Sequence, residues 1–167
     1  MNEPVFRFRE AVADDLDAIE ILYRACAANA HTHGNDDWEP DVYPNRKFAE
    51  EDLAQHGLFV LEMDGEIISA VTLLPHEELD KLDCWTVSPA ACPSRLCVRP
   101  DLQGRHIAQI TVEHLLDEAR RRGYKATRHL SLCSNVASDK LYRRMGFIQR
   151  GTVEMYEYPH YCFEYIL

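Results

Sequence analysis

The stretch Leu96-Cys97-Val98-Arg99-Pro100-Asp101-Leu102-Gln103-Gly104-Arg105-His106-Ile107-Ala108 decides the fold. Ser94 to Arg99 reads as a strand, and Pro100, which has no N–H for a ladder, stops it. Beyond it Ile107, Ile110, Leu115, Leu116 and Ala119 recur at helical spacing up to Gly123, which predicts a long amphipathic helix. A strand, a tight Gly/Arg loop and a helix N-terminus together make an anion site. The first helical turn has unpaired N–H groups and the positive end of the helix dipole, and a small residue such as Ala108 lets a phosphate come close. Arg105 adds a charge that forks onto phosphate oxygens. Ordinary strand-to-helix connections also contain glycine, so the loop by itself leaves both readings open.

Working outward, Lys125 to Cys133 reads as a strand, Asn135 to Arg144 as a shorter helix ended by Gly146, and Phe147 to Tyr156 and Tyr161 to Leu167 as two last strands joined around Pro159. Upstream, Val5 to Arg9 alternates apolar and basic, a short strand. Asp14 and Asp15 are placed to cap a helix carrying Leu16, Ile19, Leu22, Tyr23 and Cys26. Thr32 to Pro44, which includes Gly34, Asp36 and Trp38, is irregular. Asn45 starts a second helix through Phe48 and Leu53, closed by Gly57. Leu58 to Met63 and Ile67 to Leu74 flank Asp64-Gly65, a hairpin signal, and Pro75 to Pro93 reads as a loop. There is no internal repeat, linker or low-complexity segment, and one mixed α/β domain over residues 1–167 is expected.

A second pattern follows the loop: Asn135-x-x-Ser138-x-x-x-Tyr142-x-x-x-Gly146-Phe147. Taken with Leu96-Cys97-Val98-x-Pro100-x-x-Gln103-x-x-x-x-Ala108, it closely resembles the GNAT superfamily of acyl-CoA-dependent N-acetyltransferases. The resemblance covers Phe6 to Leu167 in element order, with its specific motifs between Leu96 and Phe147. The elements read above run in the order β-α-α-β-β-β-α-β-α-β-β, and the resemblance implies a mixed sheet whose central parallel strands, near Leu96 to Arg99 and Thr127 to Cys133, splay apart. The pantetheine arm of acetyl-CoA would lie in that split against Leu96, Cys97 and Val98. The pyrophosphate would rest on the backbone of Gln103, Gly104, Arg105, His106, Ile107 and Ala108, while Asn135 and Ser138 would adjoin the coenzyme. Tyr142 matches the family's usual acid for the departing thiolate.

That assignment is chemically coherent. An amine attacking a thioester builds an oxyanion and then expels a thiolate, so the site needs an N–H donor for the first and a proton for the second. The N–H of Val98 suits the donor, and tyrosine, with an ordinary pKa of about 10, holds its proton at neutral pH. The bland role for Tyr142 is packing against Leu141 and Phe147. One position departs from the family pattern: His106 stands where a small residue is expected, and with ordinary helical torsions its N–H would still serve. For the general base, His76, Glu77, Glu78, Asp83 and His160 are candidates by position. Trp38, Tyr43, Trp85, Tyr158 and Tyr161 line an acceptor pocket or anchor loops.

Composition bounds the remaining classes. The chain has 167 residues, 46% of them hydrophobic, with Lys+Arg 18 against Asp+Glu 28, a net charge of −10. The segment Arg95 to Arg150 holds 12 Lys/Arg and 5 Asp/Glu, a balance of +7, and the remainder carries −17. That division predicts an anionic coenzyme on one part and a cationic acceptor on the other. The overall sign argues against a nucleic-acid partner. No apolar run approaches about 18 residues, and Met1 to Glu10 is charged where a signal peptide is apolar, so no membrane partner and a cytoplasmic location are expected. Cys26, Cys84, Cys92, Cys97, Cys133 and Cys162 form no C-x-x-C pair and read as small core residues of a reducing compartment, and His31 with His33 reads as a solvated helix end. No metal is expected. The expected function is acetyl transfer from acetyl-CoA to a primary amine on a small cationic molecule, in a ternary complex. The alternatives are an inactive acyl-CoA-binding sensor or scaffold and a peptide N-terminal acetyltransferase, and a homodimer is left open.

Overall fold

The computed structural model describes residues 2–33 and 37–167, so Gly34 and Asp36 of the irregular stretch lie outside the described residues. Its tightest local decision is the hairpin at Asp64 and Gly65, whose φ values of 52° and 86° are both positive. Two positive φ values match the right-handed twist of the flanking strands, and Asp-Gly adopts them at little cost. The turn joins β2 (Leu58–Met63) to β3 (Glu66–Leu74), and β1 (Phe6–Glu10) pairs antiparallel with β2 in the register Phe8 opposite Leu61. Helix α1 (Leu16–Thr32) buries Leu16, Ile19, Leu22, Tyr23 and Cys26, the expected stripe. Helix α2 (Arg46–Ala54) begins as expected at Asn45, whose side chain accepts from the Lys47 N–H at 3.0 Å.

The remaining elements are α3 (Glu77–Asp80), β4 (Ala90–Val98), α4 (Ile107–Arg121), β5 (Ala126–Leu132), α5 (Val136–Arg144), β6 (Ile148–Met155) and β7 (Tyr158–Ile166). The seven strands follow the hydrogen-bonded order β1-β2-β3-β4-β5-β7-β6. The sheet is mixed: β4 and β5 are parallel through Ala90–Ala126 and Ala91–Thr127, while β5–β7 and β7–β6 are antiparallel. The α/β mixed-sheet expectation is met. The chain divides into two compact units interleaved in sequence, Met1–Thr72 with Arg95–Val112, and Leu73–Ser94 with Glu113–Leu167. In the first, α1 packs on Leu58, Val60, Ala70 and Cys97, while Leu61, Ile68, Val98, Leu102 and Ile107 form a second cluster. Cys97 and Val98 thus face opposite sides of β4, as strand alternation requires.

Several boundaries differ from the sequence reading. The expected loop from Pro75 to Pro93 contains the short helix α3, and β4 begins at Ala90 rather than Ser94. The strand runs through Pro93, which cannot donate to a ladder, and through Arg95, whose φ of +49° lies in the left-handed region,. The last hairpin turns at Tyr156 and Glu157, not around Pro159. Both residues take positive φ, the geometry of an Asn-Gly turn carried by residues that do not advertise it,. His56, with φ +57°, takes the left-handed position after α2 that Gly57 was expected to occupy. Asp15 makes no side-chain cap to α1. Its carboxylate instead accepts from the Val12 N–H at 2.8 Å and from Arg9 at 2.7 and 2.9 Å, which holds it below the usual carboxylate range.

Candidate active site

In the first unit β4 ends at Val98, a 3-10 turn spans Pro100–Leu102, and α4 starts at Ile107. Between them Gln103, Gly104, Arg105 and His106 are exposed, while Ile107 is buried and Ala108 half-buried. Gly104 takes φ +77° and His106 φ +62°. The condition of ordinary helical torsions at His106 is therefore not met. The helix starts one residue later, and His106 follows a backbone path that glycine adopts freely and an L-residue adopts at a cost of about 1–2 kcal/mol. The residue that departs from the family pattern thus has a backbone conformation that favours the small residue the pattern expects there,. His106→Gly is expected to raise thermal stability by about 1 kcal/mol and to keep or improve coenzyme affinity. A large loss of affinity by calorimetry would instead assign the imidazole a direct contact.

The carbonyls of the strand end are held from the protein side. Ser69 Oγ donates to the Cys97 carbonyl at 2.7 Å, and Thr111 Oγ1 stands 2.9 Å from both Ser69 Oγ and the Ile107 carbonyl. Ser69 and Thr111 are fully buried, so this chain of hydroxyls ties the first turn of α4 to β3 and β4. The Val98 carbonyl accepts from Cys26 Sγ at 3.1 Å and from the Gln103 side-chain amide at 3.3 Å, and Asn29 in turn donates to Gln103. Leu96 is half-buried. Burial pushes the Cys97 thiol well above its ordinary value, helped by Cys26 beside it.

One residue before Leu96 stands a feature that sequence reading passed over. Arg95 places its guanidinium on the buried Asp52 carboxylate of α2 through three contacts of 2.6 to 2.9 Å, and Thr72 Oγ1 donates to the same carboxylate at 2.6 Å. Its guanidinium also lies 5.5 Å from the centroid of the Phe48 ring. Trp38 and Tyr43 join Tyr23 and Phe48 in a run of edge-to-face rings, with Tyr43 and Phe48 4.9 Å apart. The Tyr23 hydroxyl is buried without a hydrogen-bond partner.

In the second unit Asn135 caps α5, its side chain accepting from the Ser138 N–H at 3.1 Å, and Ser138 Oγ is 2.8 Å from Ser131 Oγ. Tyr142 is buried, with its ring centroid 3.9 Å from His129, 5.0 Å from Phe147 and 6.1 Å from Phe163. Burial raises its pKa above the ordinary tyrosine value, so the hydroxyl is a proton donor throughout the neutral range,. His129 is itself buried and neither ring nitrogen has a partner. Desolvation lowers its pKa to about 3, so the imidazole is neutral.

The base candidates separate. His76 Nδ1 accepts from the Leu79 N–H at 3.3 Å as the cap of α3, and Glu78 accepts from the Tyr156 hydroxyl. Glu77 and Asp83 are exposed. His160 Nδ1 is 2.8 Å from the Tyr158 carbonyl. A carbonyl only accepts, so Nδ1 is the donor there, and in the neutral imidazole the lone pair lies on Nε2,. Trp85 anchors its loop: its indole donates to the Leu79 carbonyl at 2.6 Å, and the Arg128 guanidinium lies 5.3 Å from its ring. Tyr161 lies under Arg143 at 5.2 Å, and Tyr158 is exposed. His33 closes α1 with Nδ1 2.8 Å from the Asn29 carbonyl, and His31 lies in the helix's last turn. Among the described residues no group of three or more His, Cys, Asp or Glu could hold a metal ion, and no helix is long and apolar enough to cross a membrane.

Comparison with known proteins bears on these motifs directly. A model of the acetyltransferase (GNAT) family matches residues 17–147. No curated protein matches the chain. Among solved structures, a GNAT-family acetyltransferase from Streptococcus agalactiae is similar with a TM-score of 0.85 at 20% identity, covering 97% of this chain and 95% of that one. One from Listeria monocytogenes has a TM-score of 0.78 at 17% identity, with 99% and 100% covered. The paia N-acetyltransferase of Thermoplasma acidophilum, solved in complex with coenzyme A, has a TM-score of 0.75 at 12% identity, with 98% and 99% covered. At such identities these likenesses establish the fold, and the family match spans both motifs. The expectation of an acyl-CoA N-acetyltransferase is met: the chain belongs to the GNAT family of acetyltransferases.

Proposed function

We propose that residues 1–167 work as one catalytic domain that transfers an acetyl group from acetyl-CoA to a primary amine of a small cationic molecule, by direct attack in a ternary complex. The observation that carries the coenzyme assignment is the exposed loop from Gln103 to His106, with two left-handed residues, running into the N-terminus of a fifteen-residue helix. Backbone N–H groups there suit a pyrophosphate, and Arg105 is exposed beside them,. The Thermoplasma acidophilum protein, solved with coenzyme A, supports the same carrier. In this reading Leu96, Cys97 and Val98 pair with the pantetheine arm, Asn135 and Ser138 adjoin the coenzyme, the Val98 N–H meets the oxyanion and Tyr142 protonates the thiolate. His160 is the favoured base, because in its neutral tautomer Nε2 holds the lone pair that takes the ammonium proton. The six free cysteines fit a cytoplasmic setting,.

A cationic acceptor is supported by the connection between β3 and β4, where Glu77, Glu78 and Asp83 are exposed. Thiol release from acetyl-CoA across a panel of polyamines, amino sugars, basic peptides and neutral amines tests the assignment. Turnover is expected with the small cationic amines. Activity confined to neutral or acidic acceptors would remove the charge argument, and turnover on peptides alone would make the chain a peptide N-terminal acetyltransferase. Coenzyme binding without thiol release from any amine would favour a sensor.

A further inference from the structure

The second unit contains a pair of thiols that the transfer reaction does not use. Gly151 of β6 lies directly opposite Cys162 of β7, and a Cβ built on Gly151 would stand 3.8 Å from Cys84 Cβ. Cys84, in the connection between α3 and β4, therefore packs within van der Waals reach of Gly151, the cross-strand partner of Cys162. Cys84, Gly151 and Cys162 line one open cleft of about 140 Å³, with the exposed Asp83 at its side.

A second set of contacts places the same segment independently. Glu164, two residues beyond Cys162 and on the same face of β7, accepts from Thr86 N–H at 3.0 Å, from Val87 N–H at 3.3 Å and from the Thr86 hydroxyl,. Arg150 neutralises that fully buried carboxylate at 2.9 Å. Thr86 is likewise two residues beyond Cys84. The segment 84–87 is thus docked along β7 with Thr86 on Glu164 and Cys84 at Cys162.

We propose that Cys84 and Cys162 form a modification site: a dithiol that a hydroperoxide converts to a disulfide, fastening the α3–β4 connection to β7. Cys84 is half-buried and faces the cleft, while Cys162 is 1% exposed. Cys84 is therefore the sulfur a hydroperoxide in the cleft reaches first, and burial together with the neighbouring Cys84 thiol pushes the Cys162 pKa up to about 12, which suits Cys162 to the resolving role,. Cys84 sulfur, as its proton passes to solvent, attacks the terminal oxygen of the hydroperoxide. The S–O bond forms, the O–O bond breaks, the departing alkoxide or hydroxide takes a proton back from solvent to leave as alcohol or water, and Cys84 becomes a sulfenic acid. Cys162 sulfur then attacks Cys84 sulfur. The S–S bond forms, the S–O bond breaks, and water departs with the Cys162 proton. Two sulfurs together give up the two electrons that reduce the peroxide.

The test is titration of the reduced full-length protein with hydrogen peroxide, followed by intact mass and non-reducing peptide mapping. Loss of two hydrogen atoms is expected, with one cross-linked peptide joining Cys84 to Cys162 and reversal by dithiothreitol. In Cys162→Ala the resolving thiol is gone, and dimedone is expected to label Cys84, which it leaves unlabelled in the wild type. Recovery of both cysteines as free thiols, direct over-oxidation to sulfinic acid, or a bridge from either one to the nearby Cys133 would overturn the proposal.

Discussion

Replacing Tyr142 by phenylalanine is expected to lower kcat by about 10²- to 10⁴-fold, the usual worth of a positioned acid, with coenzyme affinity retained. The ring's neighbours His129, Phe147 and Phe163 are packed against its faces and edges, and phenylalanine keeps that packing. What it removes is one proton in a buried place. On the proposed role, expulsion of the thiolate then has no donor, and the loss falls on the chemical step rather than on binding. The wild-type enzyme carries a companion signature. Burial raises the Tyr142 pKa, so kcat is expected to show no alkaline fall from this group at the ordinary tyrosine value of about 10,. Steady-state kinetics with parallel calorimetry on both proteins measures all three quantities. Unchanged turnover in Tyr142→Phe would take this residue out of the mechanism.

Asp52→Ala carries the largest expected effect on stability. Asp52 is 3% exposed, and it neutralises an arginine whose side chain is 15% exposed and whose backbone is left-handed inside a strand. Burial alone would press the guanidinium to lose its charge, but the carboxylate outweighs it and the Arg95 pKa is raised. Removing one partner leaves a cation with little water and no counter-charge, a loss of about 3–5 kcal/mol. For a chain of this size that corresponds to a fall in Tm of roughly 6–20 °C. Because Arg95 directly precedes Leu96 to Val98, KM for acetyl-CoA is expected to rise in parallel. Asp52→Leu with Arg95→Met, which removes both charges, is expected to recover most of the stability. A loss below about 1 kcal/mol in Asp52→Ala would show that the pair behaves as a surface salt bridge.

The parts that sequence made legible are those set by neighbours along the chain. The loop from Gln103 to Ala108, the apolar stripe of α1, the cap at Asn45 and the Asp-Gly hairpin each depend on a few adjacent residues, and each stands where expected. Arg95 and Asp52 were invisible because their partnership joins positions 43 residues apart, and neither has a local signature. The left-handed backbone at Arg95, His56, Tyr156 and Glu157 was hidden for a related reason: none of these residue types announces a positive φ as glycine does,. Charge was only partly readable. The basic excess of Arg95 to Arg150 is extensively paired, with Arg95 on Asp52, Arg99 on Asp101 and Glu66, Arg128 on Asp80, Arg143 on Asp139 and Arg150 on Glu164. A count of residues registers the cations, whereas the field that a coenzyme meets depends on which of them have been answered locally.

The hydroxyl chain from Thr111 through Ser69 bears on chemistry as well as on packing. The Cys97 carbonyl that Ser69 contacts and the Val98 N–H belong to one peptide group,. Donation to the oxygen of an amide draws its resonance toward the charge-separated form, shortening the C–N bond and leaving the nitrogen's hydrogen more positive. Hydrogen bonds in series reinforce one another in this way, most strongly where water is absent. Ser69 and Thr111 are fully buried, so the polarisation is not diluted by solvent. A hydroxyl behind the strand therefore tunes, through the electrons of a single planar unit, how strong a donor the Val98 N–H is, and in the proposed mechanism that donor meets the oxyanion,.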